Sequence, residues 1–156
     1  GQPGVNFIET FAYRFPTLVM CDMLGLEESE FSDELLLQLN QAIADTFPVL
    51  ETRALSDDEL ALANRQMEFL TAFFDDLFAR RRLNPKDDLS TALAMANEGG
   101  NSLSPEELST SVIGLFGAGF ETTAHMIGNG LYLLGAHPSE RCKLNADLSL
   151  ASAATE

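Results

Sequence analysis

The chain has 156 residues, 46% of them apolar, and a formal net charge of −15 from 24 acidic and 9 basic side chains. That is enough for one domain or part of one, residues 1–156 as a single unit, with a core to bury. The acidity removes the basic face that nucleic-acid phosphates or an anionic membrane surface would require.

Two cysteines, Cys21 and Cys142, form neither a disulfide framework nor a zinc pattern. Free thiols fit a reducing compartment, and the reading is a cytoplasmic protein. No basic segment followed by an apolar run opens the chain, so no signal peptide is expected. The first residue is Gly1 rather than Met, which points to a processed, engineered or excised chain.

Apolar residues follow helical spacing throughout, and strand patterns are nearly absent, so the expected class is all-α. Phe7, Ile8, Phe11, Ala12 and Phe15 give one face that continues through Leu18, Val19, Met20, Met23 and Leu24. Pro16 is expected to kink or restart that helix and Gly25 to end it. A second helix follows the acidic turn Glu27–Glu30 and stops near Pro48. Val49 to Leu55 forms a short connection. Ser56-Asp57-Asp58-Glu59 is a capping box, and the third helix runs from it to Arg80-Arg81-Arg82, whose cations suit the negative end of the dipole. Asn84-Pro85 breaks the chain. Asp87 or Asp88 begins a shorter helix to about Ala96, and Glu98 to Asn101 makes a turn. Beyond Pro138 a short helix is expected over Ser139–Leu144, then an Ala/Ser-rich tail.

The segment 104–137 is the axis of the molecule. Ser104, Pro105 and Glu107 give a cap, a proline at the first helical position and a second capping box, and Pro138 marks the far end. At about 1.5 Å per residue this helix is about 50 Å long. Gly114, Gly117, Gly119, Gly128 and Gly130 lie inside it, each costing about 1 kcal/mol relative to Ala. Close approach by another backbone or a flat ligand would offset that cost. Its apolar run is long enough to raise a membrane span, but Glu121, His125 and Asn129 set a polar stripe through the middle, and a buried soluble helix is the expectation.

Gly114 or Leu115, Ala118, Gly119, Thr122 and Thr123 are spaced to share a face of that helix, where small side chains leave room for a planar group. Glu121 can carry a proton and Thr122 can donate and accept, a short proton relay if the groove is dry. The alternative is that Thr122 bonds back to the Ala118 carbonyl while Glu121 faces solvent. Glu121 and His125 at i, i+4 lack the partners of a di-iron or zinc site, so no metal-ligand set is assigned to side chains of this chain. Cys142 reads as a surface thiol and Cys21 as core.

Ala118-Gly119-Phe120-Glu121-Thr122-Thr123 resembles the distal-helix pattern [A/G]-G-x-[D/E]-T-[T/S] of the cytochrome P-450 family, soluble bacterial type. The flanks match in order. Phe11 to Leu26 resembles the E helix, Glu27 to Thr46 the F helix, Ser56 to Leu83 the G helix and Arg81 to Leu89 the G–H junction. Ser104-Pro105-Glu106-Glu107-Leu108 resembles the start of the I helix, and His137-Pro138-Ser139-Glu140-Arg141 the start of J.

The resemblance implies a partial fold, helices E, F, G, H, I and J, and a haem b monooxygenase that inserts oxygen from O2 into a small hydrophobic organic substrate. A ferredoxin-type redox partner would serve the full-length parent. By the same resemblance Glu121 and Thr122 would be catalytic, Glu121 linking solvent to Thr122. Ala118, Gly119, Thr122 and Thr123 would line the haem. Gly114, Leu115, Phe47, Val49 and Leu50 would line the substrate pocket. The family's F-x-x-G-x-x-x-C-x-G haem-ligand loop and its E-x-x-R pair have no counterpart in these 156 residues. The expectation is therefore a middle slice of the fold, inactive alone and prone to self-association. The alternative is a helical binding module derived from that fold.

Overall fold

The computed structural model describes residues 4–27, 29–96 and 103–155, and all regular structure among them is helical. A short π-helix, Ile8–Ala12, leads into α1 (Arg14–Met23). Next come α2 (Asp33–Thr46), a 3-10 turn over Phe47–Leu50, and α3 (Asp57–Leu83). The chain continues with α4 (Leu89–Ala94), α5 (Pro105–Ala136) and α6 (Pro138–Ala146). A 3-10 turn at Leu148–Leu150 and the one-turn α7 (Ala151–Ala154) complete it.

Local chemistry sets most boundaries. Both expected capping boxes form: Ser56 Oγ accepts from the Glu59 N–H at 3.2 Å while Glu59 accepts from the Ser56 N–H at 2.8 Å. Ser104 and Glu107 repeat those two bonds. Gly25 ends the first helical segment at φ +73°, a left-handed conformation that glycine adopts without a Cβ penalty.

Three boundaries differ from expectation. The irregularity of the first helix falls before Pro16, where the Tyr13 N–H reaches back to the Ile8 carbonyl at 3.0 Å. Pro16 is the third residue of α1, where its missing N–H leaves no bond unmade. The second helix starts at Asp33, not after Glu30, because the Ser32 hydroxyl caps it through the Leu35 N–H. Glu30 instead turns back on its own loop and accepts from the Glu27 N–H at 2.9 Å. α4 ends at Ala94, short of Ala96, and the turn expected over Glu98–Asn101 lies outside the described residues.

The core forms where α1, α2 and α3 converge on the N-terminal half of α5. Phe74, Phe78, Leu70 and Leu77 of α3 meet Leu39 and Ile43 of α2, with Leu108, Val112 and Phe116 of α5. Ser109 ties α5 to α3 through Asp75, and Gln66 ties α3 to α2 through Asp45. The buried residues of α5 run from Leu108 to Ala124 at helical spacing and stop there. Beyond Ala124 large apolar side chains stand in the open: Met126, Leu131, Tyr132 and Leu133 are each at least half exposed. The expectation of a buried helix therefore holds only for one side of its first half. Among the described residues no helix is long and apolar enough to cross a membrane.

Candidate functional site

The N-terminal half of α5 has one covered side and one bare side. Contacts along α5 explain three glycines, two in this half and Gly128 beyond it. A Cβ on Gly119 would lie 2.8 Å from Met20 Sδ, one on Gly117 3.2 Å from Ile43 Cγ2, and one on Gly128 2.7 Å from Ile8 Cδ1. These are the close approaches that the absent side chains permit.

On the bare side Gly114, Ala118 and Thr122 stand exposed in a row at i, i+4 steps, with Leu115 exposed beside them. Gly119 belongs to the flank against α1, because Met20 packs onto it, and Thr123 lies half-buried beyond it. The row thus contains Ala118 and Thr122 of the four residues expected to line a planar group, and leaves Gly119 and Thr123 aside. The Thr122 hydroxyl donates to the Ala118 carbonyl at 2.6 Å, the back-bond that competes with a relay role in the resting helix.

Glu121 points elsewhere. Neighbouring helix residues project about 100° apart, so Glu121 and Thr122 do not face one another. Glu121 is half-buried and lines a small cavity of about 220 Å³ with Tyr13, Asn40, Gln41 and Glu9. Its Oε2 is buried and has no hydrogen-bond partner among the described residues. Only one half of the simpler alternative holds: Thr122 does bond back, but Glu121 does not lie open to solvent.

An apolar groove of about 410 Å³ opens between the end of α2, the 3-10 turn, α3 and α5. Phe47, Val49, Leu50 and Gly114, four of the five residues expected for a substrate pocket, line it; Leu115 stands beside it on the bare face of α5. Sequence reasoning missed Ile43, Met67 and Ile113. They follow the core spacing of their helices, and nothing in that spacing separates a groove wall from a core position. Gly114 and Ala118 belong both to the groove and to the bare row, so the two surfaces are continuous.

Gly114 and Ala118 leave space on the bare row for a flat group, with Leu115 standing between them. Neither cysteine is on it. Cys21 is fully buried in the core, and burial pushes its thiol up to about 11, so it stays protonated. Cys142 is exposed on α6. Among the described residues no cluster of three or more His, Cys, Asp or Glu could hold a metal ion.

The fold and this surface agree with what comparison with known proteins finds. Residues 5–152 match the family model described as Cytochrome P450. The chain is 35% identical over 153 residues to the vitamin D(3) 25-hydroxylase of Pseudonocardia autotrophica, covering 97% of this chain and 35% of that protein. It is 33% identical over 156 residues to cytochrome P450 107B1 of Saccharopolyspora erythraea, covering all of this chain and 35% of that one. Among solved structures, the myxobacterial cytochrome P450 CYP267B1 in complex with myristic acid superposes with a TM-score of 0.80 at 35% identity, over 96% of this chain and 35% of that chain. P450BioI, solved in complex with a fatty-acid-loaded acyl carrier protein, superposes at 0.82 with 27% identity, over 96% and 36%. The chain belongs to the cytochrome P450 family and forms part of that fold. It spans about a third of the length of the relatives it matches.

Proposed function

We propose that this chain is the distal half of a haem pocket and the roof of a substrate pocket, part of a cytochrome P450 that inserts oxygen from O2 into a small apolar organic molecule. The observation that carries this reading is the continuity of the bare row Gly114–Ala118–Thr122 with the apolar groove under Phe47, Val49 and Leu50. An oxidising centre on the row would sit next to a molecule in the groove. Haem, when bound, supplies the iron that activates O2.

The remaining steps belong to side chains of this chain. Gly114 and Ala118 leave space on the wall and orient the substrate by exclusion. Phe47, Val49 and Leu50 shed water from the groove. Thr122 holds a proton at Oγ1, and to release it toward the row it exchanges its bond to the Ala118 carbonyl for one to a bound group. Glu121 carries protons at its buried carboxyl oxygen and reaches Thr122 through water, since the two side chains diverge. A reducing ferredoxin-type partner and a cytoplasmic setting accompany this reading.

The test is to express the complete reading frame that contains this segment and record the carbon monoxide difference spectrum of the reduced protein. A band characteristic of thiolate-ligated haem, with product formed from an apolar substrate, is the expected result. A stable protein from the complete frame that binds no haem would overturn the proposal in favour of a helical binding module. The 156 residues alone are expected to give no turnover.

A further inference from the structure

The roof of the groove is a stretch that burial does not hold. From Val49 to Ala54 every residue is exposed, and the 3-10 turn over Phe47–Leu50 contains no buried residue. Phe47 packs against the core, but Val49 and Leu50, which line the groove, stand 51% and 77% exposed. Backbone with few buried contacts opens at little cost. A polar tie holds this stretch instead. The Arg53 guanidinium donates from Nη2 to Glu59 Oε1 at 2.7 Å and from Nη1 to Glu59 Oε2 at 3.1 Å. Its Nε donates to Glu51, the residue directly after Leu50. Glu59 is itself fixed, because it accepts from the Ser56 N–H in the capping box of α3. One arginine therefore joins the end of the roof to the capped first turn of α3.

The form of this tie decides what it can do. A guanidinium fork on a carboxylate fixes direction as well as distance, which a lysine ammonium does not. The side chains of Arg53, Glu51 and Glu59 are 47%, 53% and 38% exposed, so water and salt reach both pairs. Exposed pairs of this kind break and re-form readily, each shifting a population by a factor of about two to five. None of the three residues lines the groove, so the tie acts on a ligand only through the roof. Resting on the substrate-pocket reading above, we propose that Arg53 is a latch: it fastens Val49 and Leu50 over the groove, and its release sets the rate at which an apolar ligand enters and leaves.

The experiment uses the full chain, kept dilute, with methionine methyl groups labelled for NMR and 1-dodecanol as the apolar probe. Met67 lines the groove and reports binding, while Met95 and Met126 lie outside it and report that each variant is folded. The exchange line shape of Met67 gives the association and dissociation rates. Arg53→Gln should raise both rates about threefold and leave the affinity within about twofold, the signature of a gate rather than of a lost contact. Roof amides 49–55 should exchange with deuterium about threefold faster, while those of α3 beyond its first turn stay unchanged. Arg53→Lys should fall between the two proteins. In about 1 M sodium chloride the unaltered chain should approach the Arg53→Gln rates, and the variant should respond less. Unchanged rates in Arg53→Gln, faster dissociation alone, or an equal salt response in both proteins would overturn the latch. Failure of dodecanol to move Met67 in the unaltered chain would overturn the substrate-pocket reading itself. Roof amides that exchange no faster in Arg53→Gln would overturn the tie whether or not dodecanol binds.

Discussion

Arg81 places a guanidinium inside the core, with 2% of its surface exposed. Its Nε donates to Asp88 Oδ2 at 2.5 Å, its Nη2 donates to the Gly25 carbonyl, and Glu30 stands 3.7 Å away. Gly25 is held there twice over, by its positive φ and because a Cβ would collide with the Asp88 carboxylate. Removing one partner from a buried pair leaves the other charge uncompensated, typically a loss of about 3–5 kcal/mol. Asp88→Ala should fall in that range by chemical denaturation, and Gly25→Ala should cost about 3 kcal/mol or more. Because both break one arrangement, the double variant should lose less than the sum. Burial pushes the Asp88 carboxyl up, but bonds from Thr91 and Arg81 outweigh it and hold the group below its ordinary range. Glu30 is lowered first by the Glu27 N–H, then by Arg80, Arg81 and Lys86 against a burial effect. The unfolded chain, with ordinary carboxylates near about pH 4, binds these protons more readily than the folded one. Their stabilisation is therefore complete above about pH 4 and is lost as pH falls through the lowered values. A denaturation series over that window should show the loss, and Asp88→Asn should flatten it. At the proposed site, Glu121→Gln in the complete enzyme should lower turnover about tenfold or more, with Glu121→Asp restoring much of it and the pH–rate profile shifting. An unchanged rate and profile would remove Glu121 from the reaction.

The elements show which parts of the structure their residues announce. α3 and the start of α5 are legible because capping boxes are local: Ser56 with Glu59, and Ser104 with Glu107, need only four consecutive residues to form. The start of α2 was hidden because two signals compete. The acids at Glu27 and Glu30 look like a first turn, yet the loop consumes Glu30 for an ion pair with Arg80, and Ser32 takes the cap. The π-helix at Ile8–Ala12 has no residue-level signature, and the shift it introduces is fixed by where Tyr13 and Thr17 must pack. Tyr13 lies against Phe120 with ring centroids 5.6 Å apart, and the Thr17 hydroxyl lies 2.9 Å from the Asn40 side-chain oxygen. In α5 the pattern of small residues is plain in the sequence, but its rotation is not. Spacing alone placed Gly119 with Ala118 and Thr122, and only the position of Met20 on α1 turns it away from the bare row. The groove walls from α2 and α3 were invisible for the same reason, since they depend on how far apart the helices stand.

At the scale of the whole molecule, the distribution of apolar surface is uneven. One side of the first helical segment carries a ladder of stacked rings, Phe7 on Phe11 at 5.2 Å and Phe11 on Phe15 at 5.5 Å, with Phe11 and Phe15 each about half exposed. Val19 and Met23 continue it in steps of four. Apart from the contact of Ile8 with Gly128, the second half of α5 is largely exposed, with Tyr132 at 75%. Contiguous apolar faces on this scale normally sit against something. In sedimentation velocity the isolated chain should associate with increasing concentration, despite its charge of −15, and salt should promote this by screening the repulsion. A compact monomer at every concentration, with little binding of an apolar dye, would contradict that.

α5 is continuous in its hydrogen bonding yet divided in its surroundings at Ala124. Its amides should therefore exchange with solvent deuterium at two tempos. Those from Leu108 to Ala124 are locked beneath three other helices and should open only when the core does. Those from Leu131 to Ala136 can fray a turn at a time, at little cost in buried surface. A mass-spectrometric exchange profile should show a step near Ala124 rather than a uniform gradient from the helix ends. One rod of helix would then hold both the slowest and some of the fastest protons in the molecule, with Thr122 just on the slow side of the step. In the isolated chain the backbone of the proposed wall should then stay closed, while the last turns of α5 should open readily.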